Sequence, residues 1–318
     1  MSLHPAFRAY LDELNPLIEQ AQREGFVPTP ESARAALAGL NAFALPAVPV
    51  AQIFDATTGG RDSGGVPVPV RVYVPRPDAP SDVIFFVHGG GHMAGDLDVY
   101  DFSARRTAAS TGMVVVSVDY RRSPEARYPE GLNDTYRALH DLDTVLNDVL
   151  TTGRLHAVAD SGGAAKLASI AMRVASGEWT SPIDRQVLLY PSLDYTMGGA
   201  SLNEFGTGYF LSAERVKWYF DQYFLPGADR KAASPLSGPY AQNMPETLVI
   251  VAEYDPLYSE AVEYVERMQA SGARAHLIVA PGMLHAFAFF EDKVPEAISR
   301  LYEIIAKFLA EGVVVSEW

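Results

Sequence analysis

Six short apolar runs, at residues 83–87, 114–118, 156–159, 187–190, 248–252 and 276–280, recur along the chain with helical stretches between most of them. Parallel strands need long crossovers, usually helices, and such crossovers are right-handed. The alternation therefore confines the chain to an α/β architecture, a mostly parallel central sheet with helices on both faces. With 318 residues, 48% of them hydrophobic, there is enough chain for one large wound core and a smaller appendage.

Two regions depart from this rhythm. Val66, Val68, Val70, Val72 and Val74 alternate with other residues, which predicts a half-buried strand, paired as a hairpin with residues 48–54 across a loop at 59–65. Before it, Phe7, Leu11, Leu14 and Ile18 fall at helical spacing, and Thr29-Pro30 reads as an N-cap followed by the first helical residue. Residues 194–234 are longer than a crossover needs and carry an amphipathic helix near 212–224. The expected organisation is N-terminal cap helices at 1–47 and a catalytic domain at 48–318, whose insertion at 194–234 completes an α-helical cap over the C-terminal edge of the sheet.

Composition excludes several chemistries. The absence of cysteine removes disulfides, a thiolate nucleophile and thiolate metal sites. A net charge of −14 with scattered basic residues argues against nucleic acid. No segment has the unbroken apolar length of a membrane span and the N-terminus lacks a signal pattern, so a cytoplasmic location and no membrane partner are expected.

Four chemical elements fall at the ends of apolar runs. His88-Gly89-Gly90-Gly91 follows residues 83–87. Glycines there can aim bare N–H groups at a developing negative charge, although a glycine run also serves as a turn or a phosphate cradle. Ala159-Asp160-Ser161-Gly162-Gly163 lies between a strand and a helix at 164–175, and resembles the G-x-S-x-G turn that lifts a serine clear of a sheet, with Ala159 in place of the first glycine. Asp255 follows residues 248–252, and His285 follows residues 276–280 and the turn Pro281-Gly282. Singly, Asp255 could be a turn residue and His285 an ordinary loop histidine. Together, and in the order Ser, Asp, His, they make a nucleophile, an orienting acid and a base, with Gly89, Gly90 and Gly162 as oxyanion donors.

The chain resembles the hormone-sensitive-lipase-like family of α/β-hydrolases. The resemblance runs from about residue 48 to the C-terminus and includes Val118-Asp119-Tyr120-Arg121 through Pro124-Glu125 and Tyr128-Pro129, Tyr190-Pro191-Ser192, Ser234-Pro235-Leu236 and Glu253-Tyr254-Asp255-Pro256-Leu257. It implies Ser161 as nucleophile, Asp255 and His285 as its partners, Gly89, Gly90 and Gly162 as oxyanion donors, a helical cap, and in many members a homodimer. The implied activity is that of a carboxylesterase acting on short- to medium-chain acyl esters of small molecules through an acyl-enzyme, with no metal or organic cofactor. A deacetylase, lactonase or amidase would use the same triad, and a non-catalytic binder on this scaffold is the further alternative.

Supporting positions follow from the same motifs. His88, Gly91 and Gly163 shape the two turns, and Asp160 is expected to hydrogen-bond nearby loop groups. The family's G-D-S-A-G-G is here Ala159-Asp160-Ser161-Gly162-Gly163-Ala164, and Lys166 falls where an apolar residue is common, so its amine is expected to snorkel to water. His92, Met93, Phe205, Tyr209, Phe210 and Trp218 are candidates to line an apolar substrate pocket, whereas Tyr219 and Tyr223 at helical spacing read as core.

Overall fold

The computed structural model describes residues 2–58, 66–312, 314 and 318. The strands are β1 (Gln52–Thr58), β2 (Val68–Val74), β3 (Ser81–Val87), β4 (Val114–Val118), β5 (Thr151–Asp160), β6 (Ile183–Leu189), β7 (Glu246–Tyr254) and β8 (Ala275–Leu284). They form one sheet in the order β1-β2-β4-β3-β5-β6-β7-β8. Pairs β1/β2 and β2/β4 are antiparallel; every pair from β4/β3 to β7/β8 is parallel. The helices are α1 (Pro5–Arg23), α2 (Pro30–Gly39), α3 (Asp101–Thr111), α4 (Glu130–His140), α5 (Ser161–Ala175), α6 (Ser201–Phe205), α7 (Ala213–Tyr223), α8 (Arg230–Ala233), α9 (Tyr258–Ala270) and α10 (Pro295–Glu311).

Strand alternation divides the core into two layers. Ile84 and Phe86 of β3 join α1, α3 and α10 through Phe7, Leu11, Ala104, Ile304 and Phe308. Val83, Phe85 and Val87 face the other way, onto α4, α5 and α9 through Leu132, Leu139, Leu167, Ala168 and Tyr264. Each such fully buried aliphatic or aromatic side chain contributes about 1.5–3 kcal/mol relative to an exposed one, set against the conformational entropy lost on ordering the chain.

Several boundaries differ from the sequence pattern, each for a physical reason. The hairpin partner of β2 starts at Gln52, with the register Gln52↔Val74 through Thr58↔Val68. Pro49 has no N–H to give to a ladder, which keeps residues 48–51 out of it. The expected connection at 59–65 lies outside the described residues. The turn expected at Pro281-Gly282 is absorbed into β8 as an irregularity, with the pairing shifting register between Ala252 and Tyr254. Gly282 takes φ +71° there, and its N–H donates to Glu253 at 2.7 Å. The pairing resumes at Tyr254↔Leu284. The next residues on the two strands are Asp255 and His285, so the sheet itself sets them side by side.

The insertion forms its own apolar cluster from Tyr195, Val216, Phe220, Tyr223 and Phe224 with Ala165 and Leu257. Ser212 caps α7 by accepting from the Arg215 N–H at 3.0 Å. Asn15 of α1 donates to the Gly208 carbonyl at 3.1 Å, joining the N-terminal helices to the insertion. Among the described residues, no helix is long and apolar enough to cross a membrane.

Candidate active site

At the junction of β5 and α5 the chain turns within a single residue. Ser161 holds φ +45°, a left-handed conformation strained for a side chain other than glycine. Gly163 makes the turn possible. A Cβ there would lie 2.2 Å from the Val87 carbonyl oxygen and 2.3 Å from that of His88, so strand and helix backbones touch where only glycine fits. Ser161 opens α5, and the N–H of Gly162 is one of the helix's unpaired first-turn donors.

The Ser161 hydroxyl lies 3.0 Å from Nε2 of His285, and Nδ1 of His285 lies 2.7 Å from Oδ2 of Asp255. The other Asp255 oxygen accepts from the Leu257 N–H at 2.8 Å. Asp255 is 1% exposed and His285 6%. A carboxylate accepts only, so Nδ1 carries the proton toward Asp255 and Nε2 is left facing the Ser161 hydroxyl, the geometry that a nucleophile, base and orienting acid require.

The glycine turn corrects one expectation. The N–H of Gly89 is taken by Oδ1 of Asp160 at 2.6 Å, so it is not free to meet an oxyanion. Asp160, buried beside the serine, also accepts from the Tyr100 hydroxyl at 3.0 Å. Burial pushes its carboxyl up to about 6, opposed by the hydrogen bonds from Tyr100 and Gly89. The backbone nitrogen nearest Gly162 in the glycine run is two positions further on, at Gly91. A Cβ at Gly162 would sit 3.3 Å from the Gly91 nitrogen, so the third glycine of the run packs against the start of α5 beside the serine. Gly90, at φ +101°, completes the turn. His88 is buried beneath it, stacked on Tyr120 at 4.4 Å, and the Tyr120 hydroxyl donates to the His88 carbonyl at 2.8 Å. Burial drives the His88 imidazole down to about 3, so it is neutral.

Three other expectations need correction. Lys166 does not snorkel: it is 1% exposed, on a helix buried on all sides from Gly162 to Met172. Its amine donates to Nδ1 of His92 at 2.9 Å and sits 3.9 Å over the Tyr120 ring. His92 and Met93 do not line an open pocket. His92 is buried and stacked on Tyr223 at 3.9 Å, while Met93 is fully buried and its carbonyl accepts from Arg34 at 3.1 Å. Tyr209 and Phe210 are half-buried in an aromatic cluster, Tyr209 stacked on Tyr254 beside Asp255 and Phe210 edge-on to Phe290. Trp218 is half-buried against Tyr219.

Two residues over the glycine turn have no motif to announce them. A Cβ at Gly90 would meet Leu37 of α2 at 3.0 Å, and one at Gly91 would meet the Tyr219 ring at 2.6–2.8 Å. Tyr223 is core, as its spacing suggests, but Tyr219 is half-buried against the site. Only the tertiary packing of α2 and α7 brings these two side chains to the glycines. Tyr120, by contrast, is visible in the sequence within Val118-Asp119-Tyr120-Arg121.

Comparison with known proteins agrees with this geometry. Residues 84–289 match the family described as having the alpha/beta hydrolase fold. The chain is 31% identical over 249 residues to an ethyl acetate hydrolase of Pseudomonas putida, covering 76% of this chain and 78% of that one. It is 31% identical over 247 residues to esterase LipI of Mycobacterium tuberculosis, covering 74% and 76%. A hyperthermophilic esterase from Pyrobaculum calidifontis superposes with a TM-score of 0.85 at 31% identity over 99% of this chain and 100% of the other. The chain belongs to the α/β-hydrolase family, in its hormone-sensitive-lipase-like esterase branch.

Proposed function

We propose that the protein is a serine carboxylesterase in which Ser161 is the nucleophile, His285 the base and Asp255 its orienting acid. The hydrogen-bonded series from Asp255 through His285 to Ser161, at 2.7 and 3.0 Å, carries this assignment. As Ser161 attacks the ester carbonyl, its proton passes to Nε2 of His285, and Asp255 stabilises the imidazolium. The N–H groups of Gly90, Gly91 and Gly162 hold the tetrahedral oxyanion. The alcohol leaves with the proton from His285, and water repeats the sequence on the acyl-enzyme.

Leu37 and Tyr219 crowd the glycine turn from α2 and α7. They support a preference for short to medium acyl groups, in which each methylene that fits adds up to about 0.8 kcal/mol until the space ends. The complete triad geometry weighs against a binder without activity. Rates on aryl esters of increasing acyl length, together with an aryl amide, test the assignment. Ser161→Ala is expected to lose on the order of a millionfold in turnover with the fold retained. Turnover by that variant near the wild-type rate excludes Ser161 as nucleophile, and an amide rate matching the ester rates places the protein among the amidases.

A further inference from the structure

Lys166 is a fully buried cation that the triad does not use. Among the described residues, no carboxylate pairs with it. Asp134 on α4 is the acid that favours its charge electrostatically, and that carboxylate is already held by Arg121 and Arg137. Around the amine stand Nδ1 of His92 from the glycine turn, the Tyr120 ring after β4, the Tyr223 ring of α7 at 5.6 Å, and Gly131 of α4, where a Cβ would lie 3.4 Å from Cε of the lysine. An apolar side chain would fill this space without the cost of burying a charge.

The acceptor of its hydrogen bond belongs to the oxyanion turn. His92 follows Gly91 directly and holds φ +64°, a left-handed conformation uncommon for a side chain other than glycine. Its carbonyl accepts from both the N–H and the hydroxyl of Ser123, at 2.9 and 3.2 Å. A Cβ at Gly162 would lie 3.0 Å from the His92 nitrogen and 3.4 Å from its Nδ1. Burial and the nearby Lys166 keep the imidazole neutral, so Nδ1 accepts while the ammonium donates.

We propose that Lys166 and His92 are a positioning pair, in which the buried ammonium pins the His92 ring and so holds the strained turn against Gly162, setting the spacing of the oxyanion donors. The proposal rests on the esterase function argued above. Both residues act through the backbone of Gly91 and Gly162, and neither touches the ester.

Lys166→Met, His92→Phe and the double variant test it, with kcat and KM on a short aryl ester and the melting temperature of each. The expected result for Lys166→Met is a melting temperature equal to or above that of the wild type, kcat lower by about tenfold or more, and KM within about twofold, because positioning acts on the transition state. His92→Phe lowers kcat comparably, and the double variant loses no more than the worse single one. Folded Lys166→Met with wild-type kcat, or losses that multiply in the double variant, overturns the pair. Lys166→Leu serves the same test should the Met variant not fold. A wild type without esterase activity, or an active Ser161→Ala, defeats the function itself, an outcome separate from any seen at Lys166. The pH profile gives a second readout. Burial brings the lysine down to about 7, so wild-type kcat declines on the alkaline side as the charge-assisted bond is lost, a limb that Lys166→Met lacks.

Discussion

The Ser161 turn is flanked by two buried charged side chains of opposite sign, and they are accommodated differently. Asp160 has a donor for each carboxylate oxygen, the Gly89 N–H at 2.6 Å and the Tyr100 hydroxyl at 3.0 Å. Among the described residues, Lys166 has one acceptor, His92, and two aromatic faces. The acid is the hub of a satisfied network that fixes where β3 and β5 end. The lysine is under-satisfied, and such groups persist at a site where they do something other than stabilise the fold.

The largest effect that sharpens this contrast is at the acid. Asp160→Ala leaves the Gly89 N–H and the Tyr100 hydroxyl without partners, at about 3–5 kcal/mol in urea unfolding. Asp160→Asn keeps an oxygen for Gly89 and is expected to recover more than half of that loss. Equal losses for the two variants would mean that charge, not hydrogen bonding, holds the turn.

The two groups also give opposite slopes of stability against pH. Asp160 has its folded value raised from 3.8 to about 6, so its contribution is present at low pH and is lost as pH rises through about 6. Lys166 has its folded value lowered from 10.5 to about 7, so the unfolded chain binds more protons between those limits and stability rises with pH there. Relative to Lys166→Met, the wild type should therefore gain about 2 kcal/mol between pH 7 and 9, read as a shrinking difference in urea midpoint. A difference independent of pH would show that the folded lysine keeps its proton through pH 9, as the unfolded chain does, and is not lowered by burial.

A smaller effect belongs to the outer end of the acid's network. Tyr100→Phe removes one hydroxyl donor and leaves the Gly89 bond, at about 1–2 kcal/mol by chemical denaturation. A loss as large as that of Asp160→Ala would make the tyrosine, not the glycine N–H, the principal partner of the acid.

Much of the fold is legible in the sequence because each parallel strand contains a short, mainly apolar run, with helical crossovers between most of them. Ser161, Asp255 and His285 are legible for the same reason, since each follows such a run. The bulge in β8 is not, because Pro281-Gly282 has the composition of a turn, and only pairing with β7 keeps it in the sheet. The engagement of Gly89 is equally hidden. Both Gly89 and Gly91 lie in one glycine run, and it takes the carboxylate of Asp160 reaching across from β5 to distinguish them. Lys166 misleads for a related reason: its stem could snorkel from an amphipathic helix, but α5 is covered on every side, as the run of small and apolar residues around it reflects.

The central claim is that Ser161 forms a covalent bond to the acyl carbon, and a phosphonate ester, which mimics the tetrahedral intermediate, tests it directly. After incubation with an aryl alkylphosphonate, intact mass spectrometry should show a single added phosphonyl group, located on Ser161 by peptide mapping, with esterase activity lost in proportion to labelling. An unlabelled protein with full ester turnover, or a label on any other residue that tracks the loss of activity, would contradict the account.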